Sequence, residues 1–166
     1  MLTKGIIDED FINYKKPSMV IMCPTCSFKC DKECGEQVCQ NSALATSPNI
    51  EIQALDIVSR FLCNDITESI VFSGLEPFDC FDDIFLIGFY IRHISYNGDI
   101  VIYTGYTEDE IKRLSNINGS YLDQIKTYLK PCIIKYGRYI PNQSPHYDEV
   151  LGVNLASDNQ YAIRYE

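Results

Sequence analysis

The sequence predicts a single α/β domain built on a parallel sheet, and three observations carry this prediction. The chain has 166 residues, which suits one domain and falls short of the roughly 250 residues of a complete eight-fold βα barrel. Hydrophobic residues make up 46% of the chain and charged residues 22%, which is enough apolar material for a packed core. Short apolar runs alternate with segments of helical periodicity, a pattern typical of βα units with parallel strands.

The first βα unit begins at Ser18-Met19-Val20-Ile21-Met22, which has the length and composition of a buried strand. Apolar residues then recur at helical spacing, at Leu55, Val58, Phe61 and Leu62. A second buried strand follows at Ser69-Ile70-Val71-Phe72 and ends at Ser73-Gly74. This segment is therefore predicted as strand, helix and strand.

The middle of the chain repeats the same order of elements. Asp79 can cap a helix from Phe81 to Ile91, which is apolar nearly all round, so we expect that helix to be buried. A third strand is predicted at Ile100-Val101-Ile102-Tyr103. After it, Thr107 and Glu110 have the spacing of a capping box that opens another helix.

The last part of the chain predicts one helix and two strands. The helix spans Tyr121 to Leu129, and Cys132-Ile133-Ile134-Lys135 is the fourth predicted strand. Val150 to Leu155 is the last predicted strand. Met1 to Lys16 is interpreted as an N-terminal extension of one domain that spans residues 1–166.

Charge and hydropathy exclude two classes of partner. Lys and Arg total 14 against 23 Asp and Glu, a formal net charge of −9, so no broad positive surface is expected to neutralise the phosphates of nucleic acid. No apolar run approaches the roughly 18 residues that a membrane span needs. The stretch from Met1 to Asp10 turns acidic where a signal peptide needs an apolar segment. We therefore expect a cytoplasmic protein.

Eight cysteines are many for a cytoplasmic chain of this length. Five of them crowd into one short segment after the first predicted strand: Cys23, Cys26, Cys30, Cys34 and Cys39. In a reducing compartment such crowding favours metal or redox chemistry over disulfide bonds. The other three, Cys63, Cys80 and Cys132, lie among apolar residues and are expected to be buried thiols.

Three kinds of site would use these thiols. Cys23-Pro24-Thr25-Cys26 has the pattern of a thioredoxin-like dithiol, but no amphipathic helix continues from Cys26. Four of the five thiolates could hold zinc, although the paired C-x2-C knuckles of a structural zinc site are missing. An iron–sulfur cluster uses the same soft ligands, and a cluster held by three thiolates leaves one iron free to bind a substrate.

Several further motifs stand in an order and spacing that indicate one family. They are Cys26-Ser27-Phe28-Lys29-Cys30, Cys39-Gln40-Asn41, Ser73-Gly74-Leu75-Glu76-Pro77, Tyr103-Thr104-Gly105-Tyr106, Gly137-Arg138-Tyr139 and Ala156-Ser157-Asp158-Asn159-Gln160. From about Pro17 to the C-terminus the chain resembles the small radical S-adenosylmethionine (SAM) proteins that activate anaerobic ribonucleotide reductase. The resemblance implies a shortened, partly open βα barrel of the radical SAM type, with its cofactors at the carboxyl ends of the strands.

For the metal, the resemblance implies a [4Fe-4S] cluster on three cysteines. The family spaces these cysteines as C-x3-C-x2-C, and this chain departs from the pattern because Glu33 stands at the third cysteine's position. We choose Cys39 as the third ligand beside Cys26 and Cys30, since Gln40-Asn41 follows it much as an asparagine follows the family's third cysteine. Cys34 is the rival third ligand.

For SAM, the resemblance implies contacts at the ends of two strands. Ser73, Gly74, Leu75 and Glu76 are similar to the family's Gly-Gly-Glu-Pro motif, in which backbone carbonyls and the glutamate would accept hydrogen bonds from the SAM ammonium. Thr104 and Gly105 imply a second contact, in which the Thr104 hydroxyl is offered to the SAM carboxylate or ribose. Weaker candidates for adenosine contacts are Asn154, Ser157 and Asn159. No side chain is assigned as a catalytic acid or base.

The resemblance also implies an activity and its partners. The activity is the reductive cleavage of SAM to methionine and a 5′-deoxyadenosyl radical, an oxidoreductase chemistry of anaerobic metabolism. The implied partners are a glycyl-radical enzyme such as anaerobic ribonucleotide reductase and a low-potential electron donor such as a flavodoxin. The alternatives are a non-enzymatic iron–sulfur or zinc binding module and a thioredoxin-like redox protein. Glu76 with its glycine discriminates between them, because a metal module does not need that motif.

Overall fold

A sheet of six strands forms the centre of the protein, which a computed structural model describes for all residues 1–166. The strands are β1 (Leu2–Thr3), β2 (Gly5–Asp10), β3 (Ser18–Cys23), β4 (Ile50–Glu51), β5 (Ser69–Gly74), β6 (Asp99–Tyr103), β7 (Ser115–Asn116), β8 (Gly119–Ser120), β9 (Cys132–Tyr136), β10 (His146–Asp148), β11 (Val153–Leu155) and β12 (Tyr161–Tyr165). The helices are α1 (Lys29–Cys34), α2 (Ser42–Ala45), α3 (Ala54–Leu62), α4 (Phe81–His93), α5 (Glu108–Arg113) and α6 (Tyr121–Tyr128), with a 3-10 turn at Pro77–Cys80.

The strand order in the central sheet is β12-β9-β6-β5-β3-β2. β3, β5, β6 and β9 run parallel to one another, and helices lie in every connection between them. β2 and β12 pair antiparallel at the two edges. The structure confirms the predicted single α/β domain and shows that its sheet is mixed, with the parallel strands in the middle.

Both edge strands lie outside the predicted strands. β2 forms within the segment Met1 to Lys16, where two isoleucines are followed by three acidic residues; charge is common on edge strands because it blocks pairing with another chain. The last predicted strand, Val150 to Leu155, is wrong in extent and in place. Only Val153–Leu155 is extended there, and it pairs with β10 in a separate hairpin, while β12 closes the sheet.

The two faces of the sheet are covered differently. Because successive side chains of a strand point to opposite faces, one face packs its apolar residues against α3, α4 and α6 in the larger core. On the other face, in register, four aliphatic side chains form an apolar floor: Val20, Val71, Val101 and Ile133. Tyr14, Leu151 and Leu155 pack on that floor, and Val20 of the floor lines a cavity.

Helix α3 buries a different set of residues from the one its periodicity predicts. Ile57, Val58 and Phe61 are buried, whereas Leu55 and Leu62 are 60% and 45% exposed. The buried stripe of α3 is therefore narrower than the apolar pattern in the sequence.

Helix α4 begins two residues later than its predicted cap. Asp79 lies in the 3-10 turn, and Cys80 precedes the first helical residue, Phe81. The prediction that α4 is buried holds on one side of the helix, where Ile84, Ile87 and Ile91 are buried, whereas Leu86 and Phe89 on the other side are 39% and 38% exposed. The capping box of Thr107 with α5 is confirmed. None of the helices has both the length and the apolar character that a membrane crossing requires.

Candidate functional site

A cavity of about 480 Å³ opens where the four parallel strands reach their carboxyl ends. This end of a parallel sheet is where α/β proteins commonly bind ligands, and the volume lies within the roughly 300–1,000 Å³ of small-molecule sites. Two positions nearer the carboxyl ends of the strands, on the same face as the apolar floor, four side chains line the cavity: Met22, Ser73, Tyr103 and Lys135. Met22 is paired with Ser73 and Tyr103 with Lys135, so the strand register places these side chains side by side.

All nine residues predicted to contact a cofactor line this one cavity: Cys26, Cys30, Cys39, Ser73, Gly74, Leu75, Glu76, Thr104 and Gly105. They come from the end of β5 and from the segments that follow β3, β5 and β6, which are far apart in the sequence. The parallel topology is what joins them, because it brings the carboxyl ends of neighbouring strands to the same edge of the sheet.

Three thiols of the cysteine loop, residues 24–41, face the cavity. Cys30 lies on α1, and the Cys39 thiol is near enough to influence its charge. Burial raises the pKa of Cys26 to about 11. Burial, with the nearby Cys39 second, raises the pKa of Cys30 to about 12. Because soft metals bind thiolates, loading of this site would release protons.

The other cysteines differ in position. Cys34 is exposed at the last residue of α1 and does not line the cavity. Cys23 is buried with its thiol beside that of Cys80, and Cys132 is buried in the larger core. The expectation of burial is wrong for Cys63, which is exposed just after α3, and holds only in part for Cys80, which is half-buried. No group of three or more His, Cys, Asp or Glu side chains is placed to hold a single metal ion.

Ion pairs attach α1 to the body of the protein. Lys29 Nζ lies 3.3 Å from Glu110 Oε1, and Arg138 reaches Glu33 at 3.4 Å and Glu110 at 2.7 Å. The Lys29 ammonium also stands 4.3 Å from the centroid of the Tyr106 ring. Arg138 is therefore a link between the cysteine loop and the start of α5.

Hydrogen bonds fix the two ends of the cysteine loop to the end of β5. The Glu76 N–H donates to the Thr25 carbonyl at 2.7 Å. Asn41 Nδ2 donates to the Gly74 carbonyl at 2.7 Å. Gly74 has a φ of +86°, and a Cβ there would lie 3.1 Å from Met22 and Leu44, so this close approach needs a glycine. The cysteine loop and the Ser73–Pro77 motif thus form one wall of the cavity.

Glu76 is a buried carboxylate that ties β5 to β6. It accepts hydrogen bonds from the Thr104 hydroxyl at 2.7 Å, the Gly105 N–H at 2.9 Å and the Phe78 N–H at 3.1 Å. Burial raises its pKa to about 7, although these donors oppose the shift. The Thr104 hydroxyl also accepts from the Tyr106 N–H, so its proton is already directed at Glu76 in this structure.

Lys135 is the residue at this site that the sequence pattern did not single out. It is 7% exposed and lines the cavity, and its Nζ donates to the Gly137 carbonyl at 2.8 Å. An ammonium group has three donors, and the other two have no partner in the protein. Burial lowers the pKa of Lys135 to about 8, and the charge of Glu76 opposes that shift.

One signal for Lys135 was present in the sequence. Strand alternation puts Lys135 on the same face as Ile133, so a lysine follows an inward-facing aliphatic residue in a strand that is otherwise apolar. A buried charge costs free energy unless it is paired. A lysine at that position therefore indicates a ligand of opposite charge.

The weaker adenosine candidates separate into two groups. Asn154 lines the cavity from β11. Ser157 and Asn159 do not line it; the Ser157 hydroxyl donates to Asn159 Oδ1 and Asn159 Nδ2 donates to the Arg138 carbonyl. These two side chains hold the segment after β9 in place.

Comparison with known proteins gives no match: no family model, no curated protein and no solved structure corresponds to this chain. The chemistry of the cavity itself is distinctive. Three thiols provide soft metal ligands at one side, and Glu76 and Lys135 provide two buried, opposite charges. A buried carboxylate beside a buried ammonium is complementary to the ammonium and carboxylate of an α-amino acid.

Proposed function

We propose that this chain is a radical SAM enzyme, an iron–sulfur protein that reductively cleaves SAM, with its six-stranded sheet as a shortened, partly open βα barrel. The observation that carries the proposal is the single cavity in which three thiols meet two opposite buried charges, Glu76 and Lys135. When bound and reduced, a [4Fe-4S] cluster supplies the electron that splits SAM into methionine and a 5′-deoxyadenosyl radical.

The donor set fits an iron–sulfur cluster. Cys26, Cys30 and Cys39 are three thiols on one cavity wall, with no histidine among the cavity residues. Thiolates are the usual ligands of such clusters, and three of them leave one iron for another ligand. The loop that carries them is held by ion pairs and hydrogen bonds on both sides, which fixes the direction of the thiols.

The methionine part of SAM fits the two buried charges. The Lys135 ammonium has two free donors for the SAM carboxylate, and charge-assisted hydrogen bonds of this kind are strong. The Glu76 carboxylate and the carbonyls that follow β5 are acceptors for the SAM ammonium. In this proposal Lys135 takes the part that the sequence resemblance suggested for the Thr104 hydroxyl.

The proposed biological role is the activation of a glycyl-radical enzyme such as anaerobic ribonucleotide reductase, with electrons from a donor such as a flavodoxin. One feature of the structure supports an external partner. The central sheet is open, because β2 and β12 are unpaired on their outer sides, and a cavity above an open sheet can be reached by a docked polypeptide.

Anaerobic reconstitution with iron and sulfide tests the proposal. We expect about four irons and four sulfides per chain, and cleavage of SAM when dithionite is added. Cys26→Ala, Cys30→Ala and Cys39→Ala should each abolish both results, and Cys63→Ala, at an exposed cysteine away from the cavity, is the matched control. A chain that binds zinc but forms no cluster would favour a structural metal module, and a cluster without SAM cleavage would favour a non-enzymatic iron–sulfur protein.

The partner is tested separately. The reduced protein, SAM and the glycyl-radical reductase of the same cell should together give a glycine-centred radical signal in electron paramagnetic resonance. If SAM is cleaved and a small metabolite is turned over without that signal, the chain is a radical enzyme with its own substrate.

A further inference from the structure

The Asp31 carboxylate closes the loop that joins Cys30 to Cys39. Its Oδ1 accepts hydrogen bonds from the backbone N–H of Val38 at 2.9 Å and of Cys39 at 2.8 Å. The Cys30 thiol lies 3.7 Å from the same oxygen. One side chain on α1 therefore contacts both of the cysteines whose thiols are neighbours in the cavity.

The backbone of Asp31 also takes part in this turn. Gly35, with a φ of +74°, ends α1, and its N–H donates to the Asp31 carbonyl at 2.9 Å. Side chains rarely adopt a positive φ, whereas glycine does so readily. The chain thus reverses direction after Gly35. Where it returns, the Asp31 carboxylate accepts a hydrogen bond from the Val38 N–H.

Two thiols are in reach of the position beside Cys30. Cys34 stands four residues after Cys30 on the same helix, and residues four apart share a helix face. Cys39 reaches that position only because the loop returns. Yet Cys34 is exposed and outside the cavity lining, whereas Cys39 lines the cavity.

Ion pairs from Lys29 to Glu110 and from Glu33 to Arg138 anchor α1 to the body of the protein, which leaves the segment after α1 as the variable part. The segment from Gly35 to Gln37 is exposed, and its return depends on the two hydrogen bonds to Asp31.

We propose that Asp31 is a positioning residue that selects Cys39 rather than Cys34 as the third thiol of the site. The inference rests on the proposed function for the identity of the metal group, but the loop closure itself does not. With the carboxylate removed, the N–H groups of Val38 and Cys39 lose their acceptor, the loop opens, and Cys34 is the thiol that remains one helical turn from Cys30.

The first test uses the metal-free protein. Alkylation of each cysteine by iodoacetamide, followed by mass spectrometry, gives the rate for Cys39. Asp31→Ala should raise that rate by about fivefold or more, which corresponds to the loss of a typical hydrogen bond. Asp31→Asn keeps an acceptor oxygen and should have a smaller effect. Lys32→Ala, at the next residue of α1, is the matched control and should leave the rate unchanged.

The second test measures which thiol holds the cluster after anaerobic reconstitution. In the unmodified chain, Cys39→Ala should lose the iron and Cys34→Ala should keep it. In the Asp31→Ala background the pattern should reverse, so that Cys34→Ala loses the iron and Cys39→Ala keeps it. A change of third ligand would also alter the electron paramagnetic resonance spectrum of the reduced cluster, which a simple loss of stability would not do.

The outcomes separate the two proposals. Unchanged alkylation of Cys39 in Asp31→Ala, or iron binding that still depends on Cys39 in that background, overturns the role of Asp31. If the unmodified chain binds no iron, the proposed function fails, and the alkylation rates still decide whether Asp31 closes the loop. If Asp31→Ala does not fold, the same comparisons made with Asp31→Asn decide the matter, with a smaller rise expected.

Discussion

The two ends of the central sheet both bury charged side chains, but they satisfy them differently. At the amino ends of the strands, Asp99 is 2% exposed and accepts from Tyr14 at 2.9 Å, Lys16 at 2.7 Å and Arg164 at 2.7 Å. At the carboxyl ends, Lys135 has a single protein partner, the Gly137 carbonyl. At the amino ends the buried charge of Asp99 has three partners, whereas at the carboxyl ends two N–H donors of Lys135 have none.

The pKa values follow this difference. Burial alone would raise the pKa of Asp99, but hydrogen bonds from Lys16, Tyr14 and Arg164 outweigh it and hold the pKa below its usual value. For Glu76 burial prevails, and the pKa is raised to about 7. Both carboxylates accept from three donors, but two of the Asp99 donors are cations whereas all three Glu76 donors are neutral. A buried carboxylate without a cationic partner is suited to a cationic ligand.

The largest predicted effect concerns Asp99, at the amino ends of the strands. Asp99→Ala should lower the free energy of unfolding by about 3 kcal/mol, because it leaves Tyr14, Lys16 and Arg164 without their shared acceptor. Chemical denaturation measures this change, with Asp65→Ala, at an exposed aspartate, as the control. A decrease in the free energy of unfolding below about 1 kcal/mol would mean that the Asp99 ion pairs contribute no more than exposed ion pairs do.

At the carboxyl ends of the strands, removal of a buried charge is predicted to increase the free energy of unfolding. Lys135→Met removes an incompletely paired buried charge and should raise the free energy of unfolding by about 2 kcal/mol. The same change should weaken SAM binding by about tenfold or more, because it removes the ammonium that is proposed to pair with the SAM carboxylate. Calorimetry of unfolding and of SAM binding measures the two effects.

Lys32→Met, at an exposed lysine, is the control for Lys135→Met. If Lys135→Met lowers both the free energy of unfolding and the affinity for SAM, Lys135 stabilises the fold. The two ends of the sheet would then not differ in this respect.

A third prediction concerns Glu76 alone. Glu76→Gln keeps an acceptor for Thr104 but loses the negative charge, so SAM binding should weaken by about tenfold while the cluster remains. Titration of the reconstituted protein with SAM measures the affinity, and Glu68→Gln, at an exposed glutamate, controls for the change of net charge. Equal SAM affinity in the two variants would restrict Glu76 to joining β5 and β6.

The smallest predicted effect is a pH dependence. Lys135 has a folded-state pKa of about 8, below its ordinary value of 10.5, so above pH 8 the folded chain binds fewer protons than the unfolded chain. Its stability relative to Lys135→Met should therefore rise with pH, and the gap between the two proteins should narrow by about 1 kcal/mol from pH 8 to pH 9. Urea unfolding at these two pH values measures the gap. A constant gap would mean that the Lys135 ammonium is well solvated.

The sequence was most informative where strands are buried on both faces. The runs that begin at Ser18, Ser69, Ile100 and Cys132 are nearly continuous in apolar residues, and all four lie in the parallel part of the sheet. The edge strands were missed because one of their sides faces solvent, which removes the apolar signal. The three acidic residues that end β2 are the clearest case.

For the site, the sequence could identify residues that follow a strand but not those that act across the sheet. The motifs at Ser73 and Thr104 stand directly at strand ends, where ligands of α/β proteins bind. Lys135 and Asp31 depend on which strand lies beside which and on where a loop returns. Strand alternation places Lys135 on an inward face, but the neighbours that long-range register and loop closure give to Lys135 and Asp31 leave no local pattern in composition or periodicity.

The cysteine loop and the central sheet differ in how many buried residues they contain and therefore in the free energy needed to open them locally. Helix α1 contains no buried residue, whereas the strands on which the cavity rests are paired on both sides and buried. Segments with few buried contacts open at lower free energy than core strands. Under the proposed function, only the loop would have to open for a preassembled cluster to enter the already folded chain.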